Sequence, residues 1–246
     1  MIRGKRAIVT GASRGIGFSI AKHLAKQGVT VVITGRNPES LEKAQKAIGE
    51  RAIPLVWDVS NVCIADEKIE EAARLMGGLD ILVNNAGIFA QQNEWSQKGL
   101  LATTPEEWSA VMRTNTDGLF FAMQAAVRYM LQNKVEGNVL NVTSVAGYQP
   151  VYGAYGASKA AAIALTRGWG KMFAPEHITI NGIAPGPVAT EMNDWHEGDP
   201  IEHPRIPYGR FALCDELAEL ALYMLDEKAK MLCGETIVFD GGYAIR

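Results

Sequence analysis

The sequence predicts an α/β fold, a doubly wound sheet in a single domain over residues 1–246 with helices on both faces. Three observations carry that prediction. Seven short runs rich in β-branched residues alternate with longer segments of helical period. The runs are apolar on both faces, as strands must be when helix layers cover each side of a parallel sheet. No low-complexity linker, charge block or internal repeat divides the chain.

In chain order the predicted strands are RAIVT (6–10), VTVVIT (29–34), AIPLVW (52–57), LDILVN (79–84), GNVLNVT (137–143), HITINGIA (177–184) and GETIVFD (234–240). The segments between them supply the helices. Asn37, Pro38 and Glu39 form a cap, a first-turn proline and an acid at the positive helix end; Thr104, Pro105, Glu106 and Glu107 repeat the device. Residues 88–103 and 190–208 read as long irregular loops, and loops of that length in a compact α/β domain are expected to cover a functional site.

Composition excludes several function classes. At 246 residues, 48% hydrophobic and 21% charged, the chain can bury a sizeable core. A formal charge of −3, from 24 basic and 27 acidic residues, gives no field to recruit nucleic acid or an anionic membrane surface. No run approaches the roughly 18 apolar residues of a membrane span, and the first apolar run is too short for a secretion signal, so a cytoplasmic protein is expected. Cys63, Cys214 and Cys233 are odd in number and lack CxxC spacing, which predicts reduced, buried thiols rather than a disulfide framework or zinc knuckle.

The first strand runs into TGASRGIG, with Gly11, Gly15 and Gly17 just ahead of a helix. Glycines there permit a tight turn and close backbone approach, so that a pyrophosphate can sit on free N–H groups at the helix start; alone, such a turn can also be purely structural. Asp58 and Val59 end the third strand, and Asn84, Asn85, Ala86 and Gly87 end the fourth, at the carboxyl edge where ligands meet such sheets. Farther on, YGAYGASK places Tyr155 one helical turn before Lys159. A phenol, ordinarily of pKa about 10, can serve as an acid near neutrality if a neighbouring cation favours its phenolate.

Together and in this order, TGASRGIG, the Asp58-Val59 pair, NNAG, Asn115, TS at Thr143 and Ser144, YGASK, NGIAPGPVAT and FDGGYAIR resemble the short-chain dehydrogenase/reductase family over nearly the whole chain. The resemblance implies a Rossmann-like seven-stranded parallel sheet in the order 3-2-1-4-5-6-7, and hydride transfer between a nicotinamide cofactor and a carbonyl or secondary alcohol. It implies a homo-oligomer, a tetramer or dimer, built on the helices flanking the fifth strand. Tyr155 becomes the acid; Lys159 also holds the nicotinamide ribose, Ser144 orients the carbonyl oxygen, and Asn115 holds a water in a proton relay. Cofactor contacts are implied for Gly11, Ser13, Arg14, Gly15, Ile16, Gly17, Asp58, Val59, Asn85, Ala86 and Gly87. Pro185, Gly186, Val188 and Thr190 are implied around the nicotinamide amide. Arg36 stands about 20 residues after the glycine turn, where an NAD-binding fold needs a carboxylate; Arg36 and Arg14 therefore favour NADP(H), with NAD(H) possible through Glu39.

The chain departs from the family in places. Ser144 precedes Tyr155 by 11 positions, a short spacing that leaves Thr143 as a second hydroxyl. Gly168 and Gly170 within the Lys159 helix suggest close packing at a subunit interface. His196, Glu197, Asp199, Glu202 and His203 are interrupted by glycine and proline and read as a solvated lid, with no metal. Phe89, Trp95, Leu100, Leu101 and Trp195 suggest a small, partly apolar substrate such as a polyol, steroid or keto compound. One alternative is reduction of 3-oxoacyl groups on an acyl carrier protein. The family's basic docking positions hold Val135, Glu136 and Glu176 here, although Arg128, Lys134 and Lys171 lie close in sequence. An alternative of another class is a non-catalytic dinucleotide-binding regulator.

Overall fold

In the computed structural model, which describes residues 1–89 and 96–244, all seven runs form strands: β1 (Arg6–Val9), β2 (Thr30–Gly35), β3 (Ala52–Val56), β4 (Ile81–Asn84), β5 (Asn138–Val142), β6 (Thr179–Pro185) and β7 (Thr236–Phe239). They join as β3-β2-β1-β4-β5-β6-β7, and every neighbouring pair is parallel. This is the order expected from the sequence. The helices are α1 (Gly15–Lys26), α2 (Pro38–Ile48), α3 (Ala65–Met76), α4 (Gln97–Ala102), α5 (Pro105–Met112), α6 (Gly118–Gln132), α7 (Ala154–Phe173) and α8 (Cys214–Met224).

Alternation along each strand splits the interior in two. Ala7 and Val9 of β1 enter a core with Ile20 and Leu24 of α1, Leu41 of α2 and Leu217 of α8. Ile8, between them, enters the opposite core with Ile69 of α3, Met123 of α6 and Ala162 of α7. Successive strand residues thus face two apolar layers in turn, which is why the runs lack a polar face. Each fully buried Ile or Leu contributes about 1.5–3 kcal/mol. The predicted caps form: Asn37 Oδ1 accepts from Ser40 N at 3.0 Å. Thr104 Oγ1 accepts from Glu107 N at 3.2 Å, and Glu107 accepts in return from Thr104 N at 2.9 Å.

Three expectations need correction. The segment 88–103 is not wholly irregular, because Ser96 Oγ accepts from Gly99 N at 3.0 Å and caps α4. Trp95 and the terminal Ile245 and Arg246 lie outside the described residues. The three cysteines are free but none is fully buried: Cys63 is exposed, and Cys214 and Cys233 are intermediate. Cys63 is exposed because it lies on a 3₁₀ turn ahead of α3 rather than on the helix's core face. Gly170 owes its identity to this chain's own packing, since a Cβ there would overlap Gly234 Cα and stand 2.8 Å from Ile180 O. Around Gly168, by contrast, the space that a Cβ would occupy has nothing within 4 Å among the described residues. Among the described residues, no helix is long and apolar enough to cross a membrane.

Candidate active site

The strand order reverses between β1 and β4, and the glycine turn and NNAG meet at their carboxyl ends. Thr10 Oγ1 accepts from both Asn85 N and Ala86 N at 3.0 Å. Asn85 Nδ2 donates to Thr10 O at 3.0 Å and Gly11 O at 2.9 Å. Two of the glycines answer to this brace: a Cβ on Gly11, whose φ is 64°, would stand 2.8 Å from Ala86 Cα, and one on Gly17 would overlap Asn85 Nδ2. Gly15, with φ 59°, is different, because among the described residues a Cβ there would meet only Thr190 Cγ2, at 3.7 Å. The start of α1 has no side-chain cap and no acid in its first turn. Its first N–H groups, from Gly15 through Gly17, can therefore receive an anion, with Ser13 and Arg14 immediately before them. Thr10 is a site residue that sequence reasoning missed; its place between strand and first glycine was the available signal.

Tyr155 and Lys159 both lie on α7, with Lys159 Nζ 5.7 Å from the Tyr155 ring centroid. Lys159 is buried, its Nζ donates to Val142 O at 3.0 Å, and burial lowers its pKa to about 8. A Cβ on Gly87 would stand 3.6 Å from that Nζ and 3.4 Å from Asn115 Oδ1, so glycine keeps the space before the lysine open. Phe89 packs edge-on against Tyr155, ring centroids 4.8 Å apart. Ser144 caps a 3₁₀ turn, Val145–Gly147, with Oγ accepting from Ala146 N at 3.1 Å, which leaves its proton free to donate elsewhere. That turn packs on α7: a Cβ on Gly147 would stand 2.7 Å from the Lys159 carbonyl carbon. Thr143 is not an alternative to Ser144, because its hydroxyl is buried and donates to Ile183 O at 2.9 Å.

Asn115 sits in a π-helical turn, Arg113–Asp117, that joins α5 to α6. Its Oδ1 accepts from Ile88 N at 2.8 Å, while Nδ2 donates to Ile88 O at 2.9 Å and to Ser158 Oγ at 3.1 Å. The carboxamide thus ties the end of the β4 loop to α7. Such turns widen the helix locally and recur at functional positions; no residue pattern in the sequence announces this one.

On the opposite side of the glycine turn, Arg36 follows β2 and is exposed, while Arg14 Nη1 lies 2.7 Å from Glu191 Oε2. Asp58 Oδ1 accepts from Ser60 N and Oγ, and Val59 is buried beside Gly118, where a Cβ would stand 2.9 Å from Val59 O. Past β6, which ends at Pro185, Gly186 is pressed on Asp240, and Val188 is buried and bridges Ala212. Trp195 Nε1 donates to Asp199 O at 3.2 Å, and Asp199 Oδ2 accepts from His196 N at 2.8 Å, so these polar groups of the 190–208 segment close its own turn. A cavity of about 310 Å³ is lined by Leu100, Thr103, Thr104, Pro105, Trp108 and Gly153, the last only two residues before Tyr155.

Residues 11–244 match a family profile described as enoyl-(acyl carrier protein) reductase. The chain is 36% identical to gluconate 5-dehydrogenase of Gluconobacter oxydans (strain 621H) over 255 residues, covering 99% of this chain and 96% of that one. It is 33% identical to a 3-oxoacyl-(acyl-carrier-protein) reductase of Thermotoga maritima over 252 residues, covering 99% of each. Among solved structures, a short-chain type dehydrogenase/reductase from Mycobacterium marinum superposes with a TM-score of 0.88 at 31% identity, covering 100% of this chain and 97% of the other. An actinorhodin polyketide ketoreductase variant with NADPH gives 0.89 at 28% identity, covering 99% and 98%.

Proposed function

Because the chain belongs to the short-chain dehydrogenase/reductase family and is an NAD(P)-dependent oxidoreductase of carbonyl and CH–OH groups, we propose that it uses NADP(H) on a small, partly apolar carbonyl or secondary alcohol in the cytoplasm. The observation that carries the cofactor choice is Arg36, exposed at the end of β2 where a ribose-binding carboxylate would otherwise stand. The residues at the switch point suit a dinucleotide: uncapped N–H groups at α1, a left-handed glycine at Gly15 that keeps the turn tight, and a glycine at position 87 where a Cβ would narrow the space before Lys159.

A nicotinamide held at this switch point would supply or accept the hydride. In the reducing direction, Tyr155 gives its hydroxyl proton to the carbonyl oxygen, and Ser144 Oγ–H steadies the same oxygen as charge develops. The Lys159 ammonium favours the phenolate left on Tyr155. Asn115 holds the Ile88 backbone against α7, fixing the wall that Gly87 opens. The cofactor contacts are assigned to Gly11, Ser13, Arg14, Gly15, Ile16, Gly17, Arg36, Asp58, Val59, Asn85, Ala86, Gly87, Tyr155, Lys159, Pro185, Gly186, Val188 and Thr190. Phe89 beside Tyr155 and the cavity at Leu100 and Trp108 support an apolar portion on the substrate. The likeness to a gluconate dehydrogenase supports testing polyols and their ketones first.

The likeness to a carrier-protein reductase favours a second reading, reduction of a carrier-bound 3-oxoacyl group. Against it, Glu136 and Glu176 are exposed where a basic docking surface is needed, and Arg128 is committed to Asp66. A thermal-shift comparison of NADPH and NADH, then a carbonyl and alcohol panel followed at the cofactor absorbance, tests the reading. NADPH is expected to bind at least tenfold more weakly to Arg36→Asp, since a charge-assisted hydrogen bond contributes about 1.5–3 kcal/mol. Equal or tighter NADH binding by the unmodified protein would overturn the cofactor assignment.

A further inference from the structure

The two arginines that the NADP(H) reading brings to a 2′-phosphate stand in different electrostatic settings. Arg36 is exposed and has no hydrogen-bond or ion-pair partner among the described residues. Arg14 is held by Glu191, Nη1 to Oε2 2.7 Å, with the two side chains 77% and 58% exposed. Glu191 does not reach Arg14 from a loose loop. It opens a 3₁₀ turn, Glu191–Asn193, whose Asn193 Nδ2 donates to Val188 O at 2.8 Å and to which Trp195 N is tied through Thr190 O at 3.1 Å. The residue before it, Thr190, places Cγ2 3.7 Å from where a Cβ on Gly15 would be. The root of the 190–208 segment therefore lies over the glycine turn and presents a carboxylate to its arginine.

We propose that Glu191 is a cofactor-specificity residue, an internal carboxylate that competes with the 2′-phosphate of NADPH for Arg14. The proposal rests on the NADP(H) reading. NADPH binding exchanges one anion for another on the guanidinium; a phosphate, with more charge and three acceptor oxygens, holds the fork better than a carboxylate at an exposed site, so the exchange runs toward the cofactor. NADH, lacking that phosphate, leaves the Arg14–Glu191 pair in place. The pair consequently lowers the preference for NADPH over NADH without touching the reacting atoms.

Titration calorimetry of NADPH and NADH against the wild-type chain, Glu191→Gln, Arg14→Met and the double variant tests this. Exposed ion pairs are weak, so Glu191→Gln is expected to tighten NADPH by about two- to fivefold and leave NADH unchanged. The gain should vanish in the Arg14→Met background. No gain, an equal gain for both cofactors, or a gain that persists without Arg14 would overturn the competition while leaving the wild-type preference for NADPH standing. A wild-type chain that binds NADH as tightly as NADPH would instead remove the cofactor reading, and the competition with it.

Discussion

Tyr155 carries a hydroxyl that can be deleted with little change in packing, whereas Lys159 carries a buried ammonium whose burial itself has a cost. Tyr155→Phe is expected to reduce turnover by about 10²–10⁴, the range for a lost general acid, while NADPH affinity measured by calorimetry stays near wild type. Turnover close to wild type would refute the acid role. For Lys159, burial lowers the pKa from 10.5 to about 8. Between those values the unfolded chain binds a proton that the folded chain lacks, so stability rises with pH there, by at most about 1.4 kcal/mol per pH unit. Below pH about 8 both states are protonated and the cost is constant. The melting temperature of the wild type relative to Lys159→Met should therefore climb between pH 8 and 10, by a few degrees for a chain of this size. A difference independent of pH would show that the ammonium is solvated in the folded protein.

At the scale of the element, α7 carries two glycines whose roles the structure separates. Gly170 faces Gly234 and Ile180 of the same chain with no room for a methyl group. Gly170→Ala is expected to cost about 1–3 kcal/mol through forced backbone shifts, read as a lowered melting temperature. Gly168 faces open space within the chain. Gly168→Ala removes a helix-interior glycine and would add up to about 1 kcal/mol to an isolated chain. If α7 packs on a second copy, the same change should instead weaken association, so thermal melting and sedimentation of this one variant distinguish the two situations.

Across the whole molecule, an aromatic ladder joins α6 and α7 and runs from solvent toward the core. Phe121 meets Phe120 at 5.2 Å between ring centroids, Phe120 meets Trp169 at 5.3 Å, and Trp169 meets Phe173 at 5.2 Å. Phe121 is 36% exposed, with Leu131 and Met172 also facing solvent. Exposed apolar side chains of this kind are where the homo-oligomer expected from the sequence would be built. Sedimentation at micromolar concentration should show a species larger than the monomer, and Phe121→Glu should dissociate it while leaving the fold's circular dichroism unchanged. A wild-type monomer would reject the assembly.

The sequence by itself determined the strands, because a parallel strand between two helix layers needs apolar residues on both of its faces and that demand is written locally. It determined the Asn37 and Thr104 helix starts for the same reason, since a cap and its partner lie three residues apart. It also determined the spacing of Tyr155 and Lys159, one turn of one helix. Tertiary structure decided what depends on residues far apart in the chain. Gly11 and Gly17 are fixed by Asn85 and Ala86, about 70 residues downstream, and Gly170 by Gly234. Thr143 was turned away from the site by Ile183, Asn115 was set by a π-helical turn and clamped to Ile88, and Arg14 was given a carboxylate partner 177 residues away. Sterics and charge pairing act through space, and only the folded chain brings those partners within reach.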